Sequence, residues 1–191
     1  MSRRRQRPPL AREARGRSRG VGRTGSRAAE SISDDLRLGT GGHLPARRRQ
    51  AALLLLASAS LGVVSLYQLG LIEHLPEPPL PFLDADAVDA SGEAYAFGLT
   101  PDGTLGSASA AVSLALVGMG GADRARDRPL VPLLAAAKLG LDALGGLYLT
   151  AEQASRHRRF CSWCLLAAGA QAAAFPAALP EAREALRRLR R

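Results

Sequence analysis

The sequence predicts an all-α integral membrane protein, a bundle of four transmembrane helices that follows a disordered, basic N-terminal tail. Charged and apolar residues are segregated along the 191-residue chain: residues 1–50 contain 14 Arg and four acidic residues, and long runs of Ala, Leu, Gly and Val follow. Uncharged runs of 20 residues or more can cross the hydrocarbon core of a bilayer, about 30 Å thick, as helices. A soluble helical bundle would show a polar stripe at a spacing of about 3.6 residues, and the first two runs show none.

The N-terminal tail, residues 1–49, is rich in Arg, Gly and Ser and contains few large apolar residues. Such a segment cannot bury enough apolar surface to fold, so we expect disorder, apart from a short helical turn at residues 31–36. The tail serves either to bind anionic lipids at the cytoplasmic face of the membrane or only to orient the chain. Because no aromatic residues alternate with the Arg residues to stack on bases, we do not expect nucleic-acid binding.

Four apolar segments are predicted to be the transmembrane helices of a domain that covers residues 50–180. The first, second and fourth carry no charged residue, and the third carries one Lys and one Asp. Small residues recur inside all four, as expected where helices approach closely in lipid. The predicted spans are residues 51–72, 103–122, 129–151 and 160–179, and residues 181–191 are predicted to be a basic C-terminal tail.

The distribution of Arg predicts a multi-pass protein of the cell inner (plasma) membrane with both termini in the cytoplasm. An Arg cluster at residues 47–49 precedes the first span, and residues 183–191 are also Arg-rich. Clusters of this kind stay on the cytoplasmic side. The acidic stretch 73–102 and the start of the fourth span then lie outside. The exception is the basic patch at residues 156–159, which this topology also places outside.

The only two cysteines, Cys161 and Cys164, and the only tryptophan, Trp163, lie together at the predicted outer end of the fourth span. On a helix the two thiols are one turn apart on the same face, which permits a disulfide, and the outer side of the membrane is oxidising. The unpaired N–H groups of the helix and the basic patch favour the thiolate form. The two cysteines are therefore candidates for thiol–disulfide exchange.

The cysteines have two other interpretations. In one, the thiols pack as small apolar side chains inside the bundle. In the other, they bind zinc; we do not expect this, because two thiolates and the scattered His43, His74 and His157 do not give the spacing of a four-ligand site. The sequence therefore predicts no metal.

Lys138 and Asp142 are a second group of candidate site residues, inside the third span. Lys138 is the only lysine of the chain. Residues four apart on a helix share a face and can pair, which lowers the cost of placing either charge in lipid. The pair is either a proton relay and polar contact for a bound molecule or a salt bridge that fixes the helix. Tyr148, nearer the outer end, is a candidate hydrogen-bond donor at the level of Cys161.

The outer loop is predicted to contain an extended, proline-rich segment at residues 74–81. A short amphipathic helix or surface turn follows at residues 84–95, and a turn at residues 98–103 leads into the second span. The loop is either a hydrophobic cap over the mouth of the bundle or a solvated acidic linker. The side chains that would form a cap are Leu80, Phe82, Leu83, Val88, Tyr95 and Phe97.

The order of these features resembles the vitamin K epoxide reductase family over residues 51–179. Four spans, a long outer loop after the first, and Cys-x-Trp-Cys at the outer start of the last are similar to the family's pattern. So is the run of Val88, Ser91 and Gly98 in the loop, followed by Leu105 and Gly106 at the start of the second span.

The resemblance implies a four-helix bundle that encloses a quinone site. It implies that Cys164 meets the quinone, that Cys161 is its disulfide partner, and that Ser91 lies near the redox centre. A quinone takes up two electrons and two protons as the pair is oxidised. Phe160 and Trp163 could stack against its flat ring, although an interfacial anchor is an equally good interpretation of Trp163.

The chain departs from the family's typical pattern in its outer loop. Members typically carry a second cysteine pair there, which passes electrons from a partner to the central pair, whereas this loop contains no cysteine and has carboxylates at residues 84–86. An extracytoplasmic dithiol or thioredoxin-like protein would then have to reduce the central pair directly. We therefore expect a membrane thiol–disulfide oxidoreductase coupled to quinone. The alternative is a non-catalytic membrane scaffold or partner-binding subunit that keeps the fold without a full redox cycle.

Overall fold

The computed structural model describes residues 27–191, and this part of the chain is helical. Its α-helices are, in order, α1 (Arg27–Leu38), α2 (Leu44–Gln68), α3 (Ala85–Asp89), α4 (Asp102–Gly118), α5 (Arg124–Asp127), α6 (Leu130–Glu152) and α7 (Ser162–Leu189). A 3-10 helix, Gly92–Tyr95, follows α3, and a π-helical turn, Gln153–His157, follows α6. Within these residues β-pairing is limited to an isolated bridge between Leu83 and Phe160. The predicted all-α class is confirmed for the residues that the structure describes.

Three helices are long and apolar enough to cross a membrane: α2, α7, and the continuous segment Leu130–His157 formed by α6 and its π-turn. They correspond to the first, fourth and third predicted spans. The second predicted span forms α4, which has 17 residues and is the shortest of the four long bundle helices. The structure therefore supports a multi-pass membrane protein, with three candidate spans where four were predicted.

The four long helices pack side by side around a core of small and branched side chains. Helix α2 contacts α4 and α7, and α6 contacts α7 and α4. Glycine permits one close approach between α2 and α4, because a Cβ atom at Gly106 would lie only 2.9 Å from Leu61 Cδ1. Small residues of this kind let helices approach in lipid. The buried residues of the largest core cluster include Leu54, Val117, Leu139, Ala174 and Ala178.

Two buried arginines hold the end of the bundle that lies far from Cys161. The Arg47 guanidinium donates hydrogen bonds to the carbonyl oxygens of residues 117–121, at 2.8–3.3 Å. Arg124 forms a two-pronged salt bridge with Glu181, both hydrogen bonds being 2.8 Å long. Because the last carbonyl groups of a helix have no partner within it, these arginines stabilise the end of α4 at Gly118. The predicted span continued to residue 122.

The N-terminal tail differs from the prediction where the structure describes it; residues 1–26 lie outside the described residues. Residues 27–38 form α1, and α2 begins at Leu44, so the expectation of disorder up to residue 49 is wrong for this part. Arg48 Nη2 joins the two helices by donating to the carbonyl oxygens of Leu36 and Gly39, at 2.9 and 2.6 Å. The predicted C-terminal tail, residues 181–191, is likewise helical as far as Leu189.

The outer loop covers the end of the bundle that carries the cysteines, as a cap and not as a solvated linker. Most of the buried contact between the loop and the bundle comes from residues other than those predicted. Val88 is buried, but Phe82 and Phe97 are 50% and 81% exposed, because these side chains lie on the outer side of the loop. The buried residues of the cluster under the cap are Val64, Leu75, Ala85, Val88 and Cys161.

Candidate functional site

Backbone and side-chain hydrogen bonds fix the cysteine segment to the outer loop and to the end of α6. Phe160 N donates to the Phe82 carbonyl and Asp84 N donates to the Phe160 carbonyl, both at 3.0 Å. Cys161 N donates to Gln153 Oε1 at 3.0 Å. Cys161 thereby becomes the residue that caps the N-terminus of α7.

Glu77 ties the start of α7 to the start of α3 with a single carboxylate. Its Oε1 accepts a hydrogen bond from Ser162 N at 2.7 Å, and its Oε2 accepts one from Ala85 N at 2.6 Å. Both donors are N–H groups at helix N-termini, which have no partner within their own helix and attract negative charge. The loop and the cysteine segment are therefore held as one unit.

The two thiols lie close together but in different surroundings. Cys161 is 0% exposed, whereas Cys164 is half-buried, and both are free thiols. The Cys161 sulfur accepts a hydrogen bond from Cys164 N at 3.2 Å. The two sulfurs lie within 4.8 Å of each other, so they are neighbours but must move closer to reach the S–S bonding distance of about 2.05 Å.

The charged group that the Cys164 thiol contacts is a carboxylate, that of Asp89 at the C-terminal end of α3. The Cys164 Sγ donates to Asp89 Oδ1 at 3.4 Å. Asp89 is 1% exposed, and among the described residues its second oxygen, Oδ2, has no hydrogen-bond partner. Burial raises the pKa of Asp89 to about 6, although hydrogen bonds from Cys161 and Cys164 pull it down in part.

Asp89 is the site residue that the sequence analysis missed. It stood inside the loop pattern beside Val88, with no spacing that linked it to the cysteines. Only the docking of α3 against α7 brings the two together. The sequence carried no signal for its burial, because Asp side chains are mostly exposed.

In the basic patch at residues 156–159 the three arginines are exposed, and His157 lines the same cavity as Cys164. Arg156 pairs with Glu93, at 3.1 Å, and with Glu152, at 3.2 Å. These ion pairs join the 3-10 helix of the loop to the π-turn after α6. A hydrogen bond from its own backbone N–H is the larger cause of the lowered pKa of Glu93, and the hydrogen bond from Arg156 lowers this pKa further.

A cavity of about 330 Å³ opens beside Cys164, enclosed by α4, α6 and α7 and closed above by the outer loop. Its volume lies at the lower end of the range of sites for small organic molecules. Apolar side chains form much of its wall. The polar and reactive residues that line it include Ser91, Lys138, Asp142, Cys164 and Gln171.

The predicted pairing of Lys138 with Asp142 is confirmed. Lys138 Nζ lies 2.5 Å from Asp142 Oδ1, and both line the cavity. Two serines of α4, one turn apart, complete the group: Ser109 Oγ donates to Asp142 Oδ1 at 2.7 Å, and Ser113 Oγ donates to Asp142 Oδ2. The sequence analysis did not single out these serines, because serine is common at close helix contacts.

The donor atoms of Asp89, Cys161 and Cys164 lie within 4.8 Å of one another, close enough to surround a metal ion. The sequence analysis considered only the histidines as further ligands and so overlooked the carboxylate. A structural zinc site has four protein ligands, and this group supplies three. The same proximity is what a reacting pair of thiols with a neighbouring acid–base group requires.

The model of the vitamin K epoxide reductase family matches residues 48–179. The chain belongs to the vitamin K epoxide reductase family. This confirms the resemblance stated above and extends it by three residues at its N-terminal end. Comparisons with curated proteins and with solved structures gave no match.

Membership of the vitamin K epoxide reductase family supports an oxidoreductase, and the structure brings together only some of the residues predicted for its site. Cys164 and Ser91 line the cavity, and Cys161 lies buried next to Cys164. The three aromatic candidates are not among the described residues that line it. Tyr148 is 65% exposed on α6, Phe160 is in the bridge to the loop, and Trp163 Nε1 donates to the Pro76 carbonyl at 2.8 Å.

Proposed function

We propose that this member of the vitamin K epoxide reductase family is a membrane thiol–disulfide oxidoreductase that reduces a quinone. Cys161 and Cys164 are oxidised to a disulfide, and the quinone receives the two electrons and the two thiol protons. The observation that carries the proposal is the position of the pair. One sulfur opens into a cavity of about 330 Å³ and the other lies within 4.8 Å of it.

The polar group in the wall of the cavity suits a quinone oxygen. Lys138 directs its three N–H groups to Ser109, Ser113 and Asp142, so it donates to a quinone carbonyl oxygen in exchange for one of the serine hydrogen bonds, while Asp142 keeps its charge neutralised. Ser91 Oγ is buried without a hydrogen-bond partner in the described structure and can donate from the loop. Cys164 lines the same cavity as these groups.

The proposed topology keeps α4 as a fourth span. At a rise of about 1.5 Å per residue, its 17 residues cover roughly 26 Å, which is a little less than the hydrocarbon core, and it packs between two longer spans. Both termini then lie in the cytoplasm of an inner-membrane protein, and the cysteines lie at the outer end, where an extracytoplasmic dithiol or thioredoxin-like protein can reduce them.

The second candidate is a non-catalytic subunit that uses the fold to bind partners. The absence of any cysteine from residues 69–101 favours it, because no internal dithiol can carry electrons to the central pair. Under this alternative the two sulfurs pack as small apolar groups, and the protein does not reduce quinone.

The test is steady-state reduction of a short-chain quinone by the full chain in lipid nanodiscs, driven by dithiothreitol. We expect the wild-type protein to turn over and Cys164→Ala and Cys161→Ala to fall to the uncatalysed rate. Ser162→Ala is the matched control, because it changes the side chain between the two cysteines and leaves both sulfurs in place. Equal rates for the wild type and Cys164→Ala would refute the proposal and favour the non-catalytic subunit.

A further inference from the structure

We propose that Asp89 is the proton acceptor for the Cys164 thiol, an inference that rests on the proposed function. The geometry is that of a donor and an acceptor ready for transfer: Cys164 Sγ donates to Asp89 Oδ1 at 3.4 Å. Asp89 touches the reacting sulfur itself, so its role is catalytic. Its other oxygen is buried and lacks a partner within the described residues, which leaves it able to hold a proton.

A buried carboxylate without a neutralising cation needs a reason to persist, because burial strongly disfavours the charged form. In the described part of the chain no Lys, Arg or His side chain forms an ion pair with Asp89. Arg156, a cation of the basic patch before the cysteines, pairs with Glu93 and Glu152 and not with Asp89. A carboxylate buried without a cation destabilises the folded protein, and groups of this kind are typical of functional sites.

Two roles for Asp89 are to be distinguished: stabilising a thiolate on Cys164, or accepting the proton of the Cys164 thiol. The sign of the electrostatic interaction decides between them. A carboxylate beside a thiol repels the thiolate, so Asp89 does not stabilise a separate negative charge on Cys164. It does give the thiol proton a place to go. If the proton moves from Sγ to Oδ1, the negative charge passes from one atom to the other and the pair never carries two charges.

The full step balances in atoms and electrons. Asp89 takes the Cys164 proton, the Cys161 sulfur bonds to the Cys164 sulfur, and the electron pair released as the S–S bond forms passes to the quinone. The proton held by Asp89 and the proton of the Cys161 thiol pass to the two quinone oxygens. Two S–H bonds break, one S–S bond forms, and the quinone becomes a quinol with two electrons and two protons. Asp89 returns to the carboxylate when it releases its proton toward the cavity that Cys164 lines.

The groups around Asp89 set the pH at which it can act. Tyr67 faces it from α2, Glu77 from the loop, Asp102 from α4, and the two cysteines from α7. Burial is the largest cause of its raised pKa of about 6, and the negative charges of Asp102 and Glu77 raise it further. The acceptor is the carboxylate form, so the group is competent above pH 6 and loses its capacity as the pH falls below this value.

The experiment compares Asp89→Asn with the wild type in a single turnover. Dithiol-reduced protein is freed of reductant and mixed with a short-chain quinone at a series of pH values, and disulfide formation is timed. We expect the wild-type rate to rise through about pH 6 and then level off. Asp89→Asn should be slower by about a hundredfold at neutral pH, which is the lower end of the range for a general base, and should lose the rise near pH 6.

Asp86→Asn is the matched control, because Asp86 lies on the same short helix but binds His74 and Leu75 N. Its pH profile should match that of the wild type. Asp89→Glu keeps a carboxyl group and should retain a rise in rate with pH. The proposal is overturned if Asp89→Asn keeps the wild-type profile, or if its rate falls by the same factor at every pH, as a merely structural role would produce.

A second measurement separates this proposal from the proposed function. In Cys161→Ala, the rate at which iodoacetamide alkylates Cys164 is measured against pH without any quinone. If Asp89 accepts the Cys164 proton, the alkylation rate should show an inflection near pH 6 that Asp89→Asn removes. An inflection without quinone turnover would refute the proposed function and leave Asp89 as the proton acceptor of Cys164. Quinone turnover without an inflection would support the proposed function and refute the role of Asp89.

Discussion

At the scale of single residues, the Lys138–Asp142 pair, which lines the cavity, and Asp89, which contacts the Cys164 thiol, are buried in different ways. Lys138 and Asp142 neutralise each other and share two serines, whereas Asp89 has thiols for neighbours and a raised pKa. The first arrangement was predictable, because the only lysine of the chain stands four residues before an aspartate inside an apolar run. The second was not, because it depends on the contact of a loop helix with a distant cysteine.

Lys138→Met tests whether the pair binds quinone or only fixes α6. Removal of the cation takes away one charged hydrogen bond to the quinone and leaves Asp142 without its cation. We expect the KM for quinone to rise about tenfold, because such a hydrogen bond contributes roughly 1.4 kcal/mol and this free energy corresponds to a factor of ten in affinity. We also expect the protein to become less stable.

The double variant Lys138→Met/Asp142→Leu separates the two effects. Replacing both charges should restore stability, because an apolar pair replaces an ion pair at little cost, but the KM should stay high. Recovery of both properties in the double variant would show that the pair has a structural role only.

At the scale of elements, the sequence located the long helices well and their ends poorly. Helix α6, Leu130–Glu152, matches the predicted span 129–151 closely because Pro129 and the charges that precede it mark its start. Helix α2 starts seven residues before the predicted span, at Leu44 instead of residue 51. The prediction began after the Arg cluster, but Arg47 and Arg48 are helical and bind carbonyl groups of the protein.

The end of α4 shows why such boundaries are hard to predict. The apolar sequence continues to Ala122, yet the helix stops at Gly118, where Arg47 and Arg124 bind its terminal carbonyls. Within the run, glycines at 118, 120 and 121 favour a stop, and Gly120 has a positive φ of 83°, as is common just after a helix end. The arginine partners lie on other helices and meet α4 only in the folded chain.

The salt bridge between Arg124 and Glu181 supports this end of the bundle, and Glu181→Gln tests it. Both side chains are almost fully buried, and an unpaired buried Arg costs about 3–5 kcal/mol. We therefore expect a large fall in the midpoint of unfolding in detergent. Glu184→Gln, three residues later, is the control: Glu184 is 27% exposed and contacts both His43 and Arg126 near the surface, so its salt bridges should each contribute less than about 1 kcal/mol. Similar losses in both variants would contradict this assignment.

At the scale of the whole molecule, the family was predictable from the order of a few features. Apolar runs of membrane length, one Cys-x-x-Cys at the start of the last run, and the loop pattern were enough to identify it, and the family model covers residues 48–179. The site was predictable only where its residues had a sequence spacing of their own, as in the cysteine pair and the Lys–Asp pair. The aromatic candidates Phe160, Trp163 and Tyr148 rested on residue type alone, and the fold places them away from the cavity lining.

Under the proposed function, the outer loop accounts for a redox site in a chain with two cysteines. Glu77 and the bridge between Leu83 and Phe160 hold the loop against α7. The loop supplies a carboxylate, Asp89, to the pair and contains no cysteine. We infer that external dithiols reach the central pair directly, and that the loop contributes proton transfer to the reaction.

The central claim is that the two sulfurs bond to each other and deliver their electrons to a quinone in the adjoining cavity. The most direct measurement is a single turnover in which reduced, reductant-free protein meets a short-chain quinone in the absence of oxygen. The account predicts one quinol per protein chain, formed at the same rate as a disulfide that peptide mass mapping locates between Cys161 and Cys164. A quinone that stays oxidised, or a disulfide that forms without quinol, would contradict it.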